Sequence, residues 1–356
     1  MYVLIALLLL GILITVHEAG HFMAARITGI DVMEFAIGMG PKLVSWKSKK
    51  HDTVFSLRLI PVGGFCAFYG EDDAQGKHLD DPRAYNRQNV WKRIFTVAMG
   101  PVMNFVLAFV VLVAFFWIGG ISEVTGIDPY IHQVAAAGPA YSAGLQDGDI
   151  IESVNGVNVL DGTTETLLNA ISGYQQGDAP LRMVVRRGDT TFETEMTPFW
   201  DEAEGKYRVG VTIAGRYRTV VRPCGPGEAL YQSWDTCVYA GGVIIGALKD
   251  LVTTGEGLDQ TSGPVGVVSM VSEEVQSGGL EAFINYLVVI SINLGIMNLL
   301  PIPGLDGSRL IFMIIEAIRR KPIAPQKEAV VHLIGMLFLF ALMIFFTFKD
   351  VMRLFH

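Results

Sequence analysis

Charge is scarce in this chain, and so is cysteine. Of 356 residues only 17% are Asp, Glu, Lys or Arg, against about a quarter in an average globular chain. Apolar residues make up 51% and the mean hydropathy is +0.41, which excludes an ordinary soluble enzyme and puts part of the chain in lipid. Basic residues are the scarcer sign: 27 Lys and Arg against 35 Asp and Glu give a net charge of -8. Nucleic acid is therefore excluded as a partner, since it demands a clustered basic surface. The three cysteines, Cys66, Cys224 and Cys237, have no metal-ligand spacing and form no disulfide framework. They read as small buried hydrophobes, with a Cys224–Cys237 pair as the alternative. The apolar N-terminus lacks the basic stretch that opens a secretory signal, and its run continues into ionisable residues, so it reads as a retained first span.

Four stretches meet the requirement of about 20 largely apolar residues for a membrane span: Met1–Gly29, Ile94–Ile118, Ala282–Leu300 and Ala329–Phe348. A fifth, Ala229–Leu248, contains Asp235, Tyr231, Gln232 and Ser233 and reads as an amphipathic helix on the membrane surface. Lys and Arg number 11 from Arg26 to Arg93 and 5 from Arg309 to Lys327, whereas Gly119–Leu280 holds 9 against 21 Asp and Glu. Positive loops stay in the cytoplasm, which places the long acidic region outside. Within it, strand-like segments Ile131–Val134, Leu181–Arg186 and Thr191–Met196 and a helix over Thr163–Ser172 are expected, with turns at Asn155-Gly156 and Arg187-Gly188-Asp189.

His17-Glu18-Ala19-Gly20-His21 is an H-E-x-x-H motif on the first span. Residues four apart share a helical face, so both imidazoles can reach one ion, and Glu18 is placed to activate a water on it. Ionisable residues within a span are costly and by default functional. A catalytic zinc needs three protein ligands and an open position. Asp306 is the candidate third ligand: it ends the charge-free run Ala282–Leu305, in Asn298-Leu299-Leu300-Pro301-Ile302-Pro303-Gly304-Leu305-Asp306-Gly307. Prolines and glycines forbid a regular helix there, and irregular backbone at bilayer depth is tolerated only where it lines a protein cavity. His17 lies toward the cytoplasmic end of its span, and Asp306 reaches the same depth if Ala229–Leu248 does not cross.

These motifs together resemble the site-2 protease family, and within it the bacterial members that act as regulator of sigma-E proteases. Ala143-Gly144-Leu145-Gln146-Asp147-Gly148-Asp149-Ile150-Ile151 followed by Asn155-Gly156 is similar to a PDZ domain. Gly100-Pro101-Val102-Met103-Asn104 resembles the family's G-x-x-x-N element, Pro61-Val62-Gly63-Gly64-Phe65 its re-entrant β-loop, and Ser262-Gly263-Pro264-Val265-Gly266 the segment before its third span. The chain has room for a single PDZ domain where the best-known enterobacterial members carry two in tandem.

The fold that follows is a polytopic α-helical membrane protein of about four transmembrane helices, with a re-entrant β-loop and an inserted extracytoplasmic β-rich PDZ domain. Its expected parts are a first span over 1–30, a cytoplasmic-side loop with the β-hairpin over 31–92 and a second span over 93–120. The PDZ domain follows over 121–200, then a segment with the surface helix over 201–280. The third span occupies 281–310, and a cytoplasmic loop with the fourth span 311–356. The resemblance implies a multi-pass protein of the bacterial inner membrane that holds zinc through His17, His21 and Asp306, with Glu18 as general base. It implies cleavage of single-span proteins inside the lipid bilayer: anti-sigma factors already trimmed by another protease, or remnant signal peptides. Asn104 and Asn298 would hydrogen-bond the substrate backbone or the oxyanion, or else cap polar backbone between helices; Gly63 and Gly64 would contact substrate through the β-loop. The strand-like run Thr53–Ile60, ending at Pro61 and Gly63-Gly64, is expected to offer its edge to an unwound substrate. The PDZ domain would exclude bulky substrates or capture a C-terminus. A metal transporter would show internal repeats, and none is present.

Overall fold

The computed structural model describes residues 2–49, 52–71, 81–135, 138–160, 165–202, 205–257, 261–321, 323 and 325–354. In chain order the elements are α1 (Tyr2–Thr28), β1 (Val32–Lys47), β2 (Val54–Phe68), α2 (Val90–Gly119), β3 (Ile121–Val134), α3 (Pro139–Ser142), β4 (Ile150–Val154) and β5 (Val157–Asn158). Then come α4 (Glu165–Ser172), β6 (Leu181–Arg187), β7 (Thr190–Met196), β8 (Phe199–Asp201), β9 (Lys206–Arg208), β10 (Val211–Arg222), α5 (Pro226–Thr253), α6 (Pro264–Leu299), α7 (Asp306–Arg319) and α8 (Pro325–Leu354). Two compact units result, Met1–Ile118 with Gly225–His356, and Gly119–Cys224.

Among the described residues of the first unit, five helices are long and apolar enough to cross a membrane: Tyr2–Thr28, Val90–Gly119, Pro226–Thr253, Pro264–Leu299 and Glu328–Met352. Pro226–Thr253 contains the segment expected on the membrane surface, and its mean hydropathy of 1.3 is the lowest of the five. α1 ends on Gly29 with φ +78°, and the Ile30 N–H turns back to the Ala25 carbonyl at 2.8 Å, a Schellman stop that only glycine enters without strain. α2 is capped by the Asn89 side chain, which accepts the Trp91 N–H at 2.9 Å. α6 begins well before the expected span, because Pro264 opens a helical half that breaks at Gly279 (φ 59°, ψ -135°). That half sends Val271 and Val275 against Leu9 and Leu13 of α1. Its exposed amides are met from α8, where buried Asp350 accepts the N–H groups of Gly263 (3.2 Å) and Gly266 (2.7 Å). A carboxylate at a helix N-terminus satisfies orphan donors and the dipole together.

β1 and β2 form a bent hairpin in which the expected edge becomes interior. Gly38 (φ +85°) and Gly40 (φ +83°) fold β1 so that both its halves meet β2. Val54–Leu57 pairs on one flank with Glu34–Ile37 and on the other with Val44–Lys47, so this part of the strand Thr53–Ile60 is interior rather than an edge. β2 also does not stop at Pro61. It passes through an unpaired step between the Met39↔Ile60 and Ile37↔Gly64 registers and resumes as Gly64–Phe68 against Val32–Ile37. A proline is tolerated where no ladder N–H is needed. Among the described residues no strand pairs with the outer flank of Gly64–Phe68.

The second unit is a sheet of order β10-β3-β4-β6-β7 with β5 on β4, packed over Ile131, Ile151, Leu167, Met183 and Val185. Asn155 and Gly156 both take positive φ (52° and 80°) and close the β4–β5 turn, as a two-residue hairpin requires. The expected helix is described from Glu165 as α4; positions 163 and 164 lie outside the described residues. The unit takes in β10, paired along β3 from Val211↔Val134 to Arg222↔Ile121, a strand beyond the 121–200 segment. Among the described residues no disulfide joins Cys66, Cys224 or Cys237.

Candidate metal centre

The centre is built where α1 and α2 nearly touch. A Cβ on Gly20 would stand 2.2 Å from the Met99 carbonyl oxygen, and one on Gly100 would stand 2.3 Å from His21 Nε2 and 3.0 Å from His17 Cε1. Small residues on both helices let the backbones approach this closely. Thr96, Gly100 and Asn104, four apart on α2, face the histidines. The His21 Nδ1–H donates to the Thr96 carbonyl at 3.0 Å, and His17 Nδ1 lies 3.2 Å from the Asn104 amide. A carbonyl only accepts, so neutral His21 carries its proton on Nδ1 and turns a lone pair outward at Nε2. Asn104 serves His17 in the same tautomer when its oxygen faces the ring, an orientation that shape alone does not distinguish.

Asp306 arrives from the broken segment after α6. Leu300 leaves the helix in an extended conformation (φ -66°, ψ 148°), Gly304 turns at φ +100°, and its N–H donates to His332 Nδ1 of α8 at 3.2 Å. Gly307 then lets the first turn of α7 sit on the end of α6, since a Cβ there would meet the Leu299 and Leu300 carbonyl oxygens at 2.3 Å. Asp306 falls in that first turn, where the helix dipole favours a carboxylate.

The three side chains converge. His17 Nε2 and His21 Nε2 are 3.2 Å apart, and Asp306 Oδ2 lies 3.1 Å from the first and 3.3 Å from the second. Oδ2 is buried without a hydrogen-bond partner, and with both rings neutral and protonated at Nδ1 three lone pairs face one another. Such an arrangement is held together by a cation. Zinc bonds of about 2.0–2.1 Å in a tetrahedron set neighbouring ligand atoms about 3.3 Å apart, which these separations match. The donor set therefore fits zinc.

A cavity of about 410 Å³ opens on this triad, lined among others by Glu18, Phe65, Cys66, Asn298 and Leu305. Of the expected site residues, His17, Glu18, His21, Asp306 and Asn298 share its wall. Gly64 approaches it, its Cβ position lying 3.4 Å from Glu18 Cγ. At Gly63 the Cβ position instead lies 2.8 Å from the Met39 side chain. Asn104 is fully buried behind His17 and does not line the cavity. Sequence reasoning missed Thr96 and the steric role of Gly100; their four-residue spacing with Asn104 was the available signal. It also missed Glu71 and Arg309 on the cavity wall, which no local pattern marks.

Helices apolar enough for lipid around a zinc-compatible triad with an adjacent carboxylate define a membrane metallohydrolase. The sequence matches peptidase family M50 over residues 5–342. The chain belongs to that family, the site-2 proteases: it is an intramembrane zinc metalloprotease, and its cofactor is Zn²⁺. It is 34% identical to the regulator of sigma-W protease RasP of Bacillus subtilis, with 98% of each chain covered. It is 33% identical to the zinc metalloprotease RasP of Bacillus licheniformis, again over 98% of both. Among solved structures, the PDZ domain of an SdrC-like protein from Listeria monocytogenes matches 26% of this chain and 92% of that domain. That match has 21% identity and a TM-score of 0.23, too slight a likeness to bear on the fold.

Proposed function

We propose that this protein cuts single-span membrane proteins inside the bilayer, in regulated intramembrane proteolysis, with His17, His21 and Asp306 holding zinc and Glu18 as general base. The observation that carries this is the triad of potential ligand atoms at 3.1–3.3 Å sharing a cavity with Glu18. Zinc held there supplies Lewis-acid polarisation of the scissile carbonyl and activates a water molecule. Glu18 takes the proton of the attacking water and returns it to the leaving amine. Asn298, on the cavity wall, donates to a substrate carbonyl.

A helical substrate must be unwound, and each bared N–H and C=O costs several kcal/mol in hydrocarbon unless it finds a partner. The outer flank of Gly64–Phe68 is the edge that can supply partners, and Phe65–Phe68 line the cavity. The hairpin suits a lipid setting: Met39, Leu43, Trp46, Leu59 and Ile60 are exposed, while Glu34 pairs internally with Lys42 (3.0 Å) and Arg58 (2.8 Å). The loop-charge asymmetry supports four spans in a bacterial inner membrane with the PDZ-like unit on the extracytoplasmic side. The low hydropathy of α5 and its exposed Tyr231, Trp234 and Tyr239 support an interfacial helix. The name of the Bacillus subtilis relative supports anti-sigma-factor-type substrates here.

The test is cleavage of a single-span substrate in proteoliposomes, with products mapped by mass spectrometry. The cut is expected inside the apolar stretch, abolished by a chelator and restored by zinc. Cleavage confined to flanking loops, or indifferent to chelation, overturns the proposal. A finer expectation concerns Asn104. Removing a partner that orients a metal-binding histidine weakens affinity about 10- to 100-fold, so Asn104→Ala should release zinc to a competing chelator at correspondingly lower concentration. Asn104→Asp, which keeps an oxygen acceptor, should lose less.

A further inference from the structure

The edge strand ends at a carboxylate that the hydrolysis does not require. Glu71 accepts the Phe68 N–H through Oε2 at 3.3 Å and the Arg309 guanidinium through Oε1 at 2.6 Å. Arg309 stands one helical turn beyond Asp306 on α7. The same stripe continues with Met313, whose sulfur takes the Tyr85 hydroxyl at 3.8 Å, and Glu316, which pairs with Arg93 of α2. Tyr85 in turn stacks on Phe68 (centroids 5.0 Å apart, 10° between planes) and donates its N–H to the Tyr69 carbonyl at 2.7 Å. Glu71 thus ties the end of the substrate-facing strand to the helix that presents Asp306, and both members of the pair line the cavity.

We infer that Glu71 and Arg309 are positioning residues that set which peptide bond is cut, by fixing the Gly64–Phe68 edge in register with Asp306. This rests on the strand-pairing reading given above. An extended segment laid on an edge can slip by one pleat repeat, about two residues or 6.6 Å, and register is weakly specified where no buried face enforces it. The offset between edge and metal centre then decides which carbonyl meets the centre, and misplacement of about 1 Å is enough to cost orders of magnitude in rate.

The experiment uses the full-length, zinc-loaded enzyme in proteoliposomes with a single-span substrate, product masses and zinc content being measured together. Glu71→Gln keeps an acceptor for the Phe68 N–H and removes the charge. It is expected to retain about one zinc per chain, to lose about tenfold in kcat with little change in KM, and to add a second cut about two residues from the first. Arg309→Gln, altering a side chain 41% exposed, gives the same readout should Glu71→Gln fail to fold. An unmoved single cut with unchanged kcat in both single variants overturns the inference, as does loss of zinc from either folded single variant. Substrates N-methylated along the backbone near the cut separate the two ideas. If methylation leaves the rate unchanged, strand pairing fails; if it slows cleavage while the variants still cut at one unmoved bond, the positioning role alone fails.

Discussion

Glu18→Gln is expected to keep its zinc and lose about 10²- to 10⁴-fold in turnover, the range that a positioned proton-transfer group contributes. Glutamine preserves the volume and the hydrogen-bonding reach of glutamate but cannot accept a proton. Glu18 is one residue from His17, so on a helix its side chain points about 100° away from that ring. That direction carries it toward the β-edge, where the Cβ position of Gly64 lies 3.4 Å from its Cγ. It is thus outside the ligand triangle and on the cavity wall. Asp306→Ala gives the contrasting result, losing metal and cleavage together, because it strips one of three ligands from a site that needs all of them. Elemental analysis of purified variants beside single-turnover cleavage separates the two outcomes. Full proteolysis by Glu18→Gln removes the base from the mechanism.

What could be read in advance was what local spacing dictates. His17 and His21 share a helical face because they are four apart, and Asp306 was marked by the charge-free run before it and the prolines around it. The turn at Asn155-Gly156 follows from residues that tolerate positive φ. The hairpin was misread for the opposite reason. Pro61 and Gly63 look like a strand end, yet they lie at an unpaired step before pairing resumes at Gly64, and whether a strand is interior or edge depends on which distant segments flank it. Glu34–Ile37 and Val44–Lys47 both claim Val54–Leu57, and nothing within Thr53–Ile60 reveals that. β10 is paired to a strand some 90 positions earlier, and Asp350 caps a helix across 84 to 87 positions. Such contacts carry no periodic signature. The first half of α6 was hidden because Glu273, Glu274 and Gly278-Gly279 interrupt its apolar pattern, although it packs against α1 through Val271 and Val275.

Gly100→Ala should abolish zinc binding and cleavage without altering any ligand. Alanine is the better helix former by about 1 kcal/mol, so local helix stability rises and the cost must come from the contact alone. The new Cβ would stand 2.3 Å from His21 Nε2 and Cε1 and 3.0 Å from His17 Cε1, well inside van der Waals separation. Neither ring has a free retreat. His21 is held through Nδ1 by the Thr96 carbonyl and His17 through Nδ1 by Asn104, both on the same helix as the substitution. Moving α2 outward as a body would open the Gly20–Met99 contact and draw those two anchors away from the rings. Tetrahedral zinc tolerates about 0.2 Å of ligand displacement, less than any of these adjustments would produce. Gly246→Ala on α5, with nothing within 4 Å of its Cβ position, is the matched control and should bind zinc normally. Zinc content and thermal unfolding measured on both variants decide the matter. A Gly100→Ala protein that binds zinc as the control does would show that the two helices do not approach as closely as the centre requires.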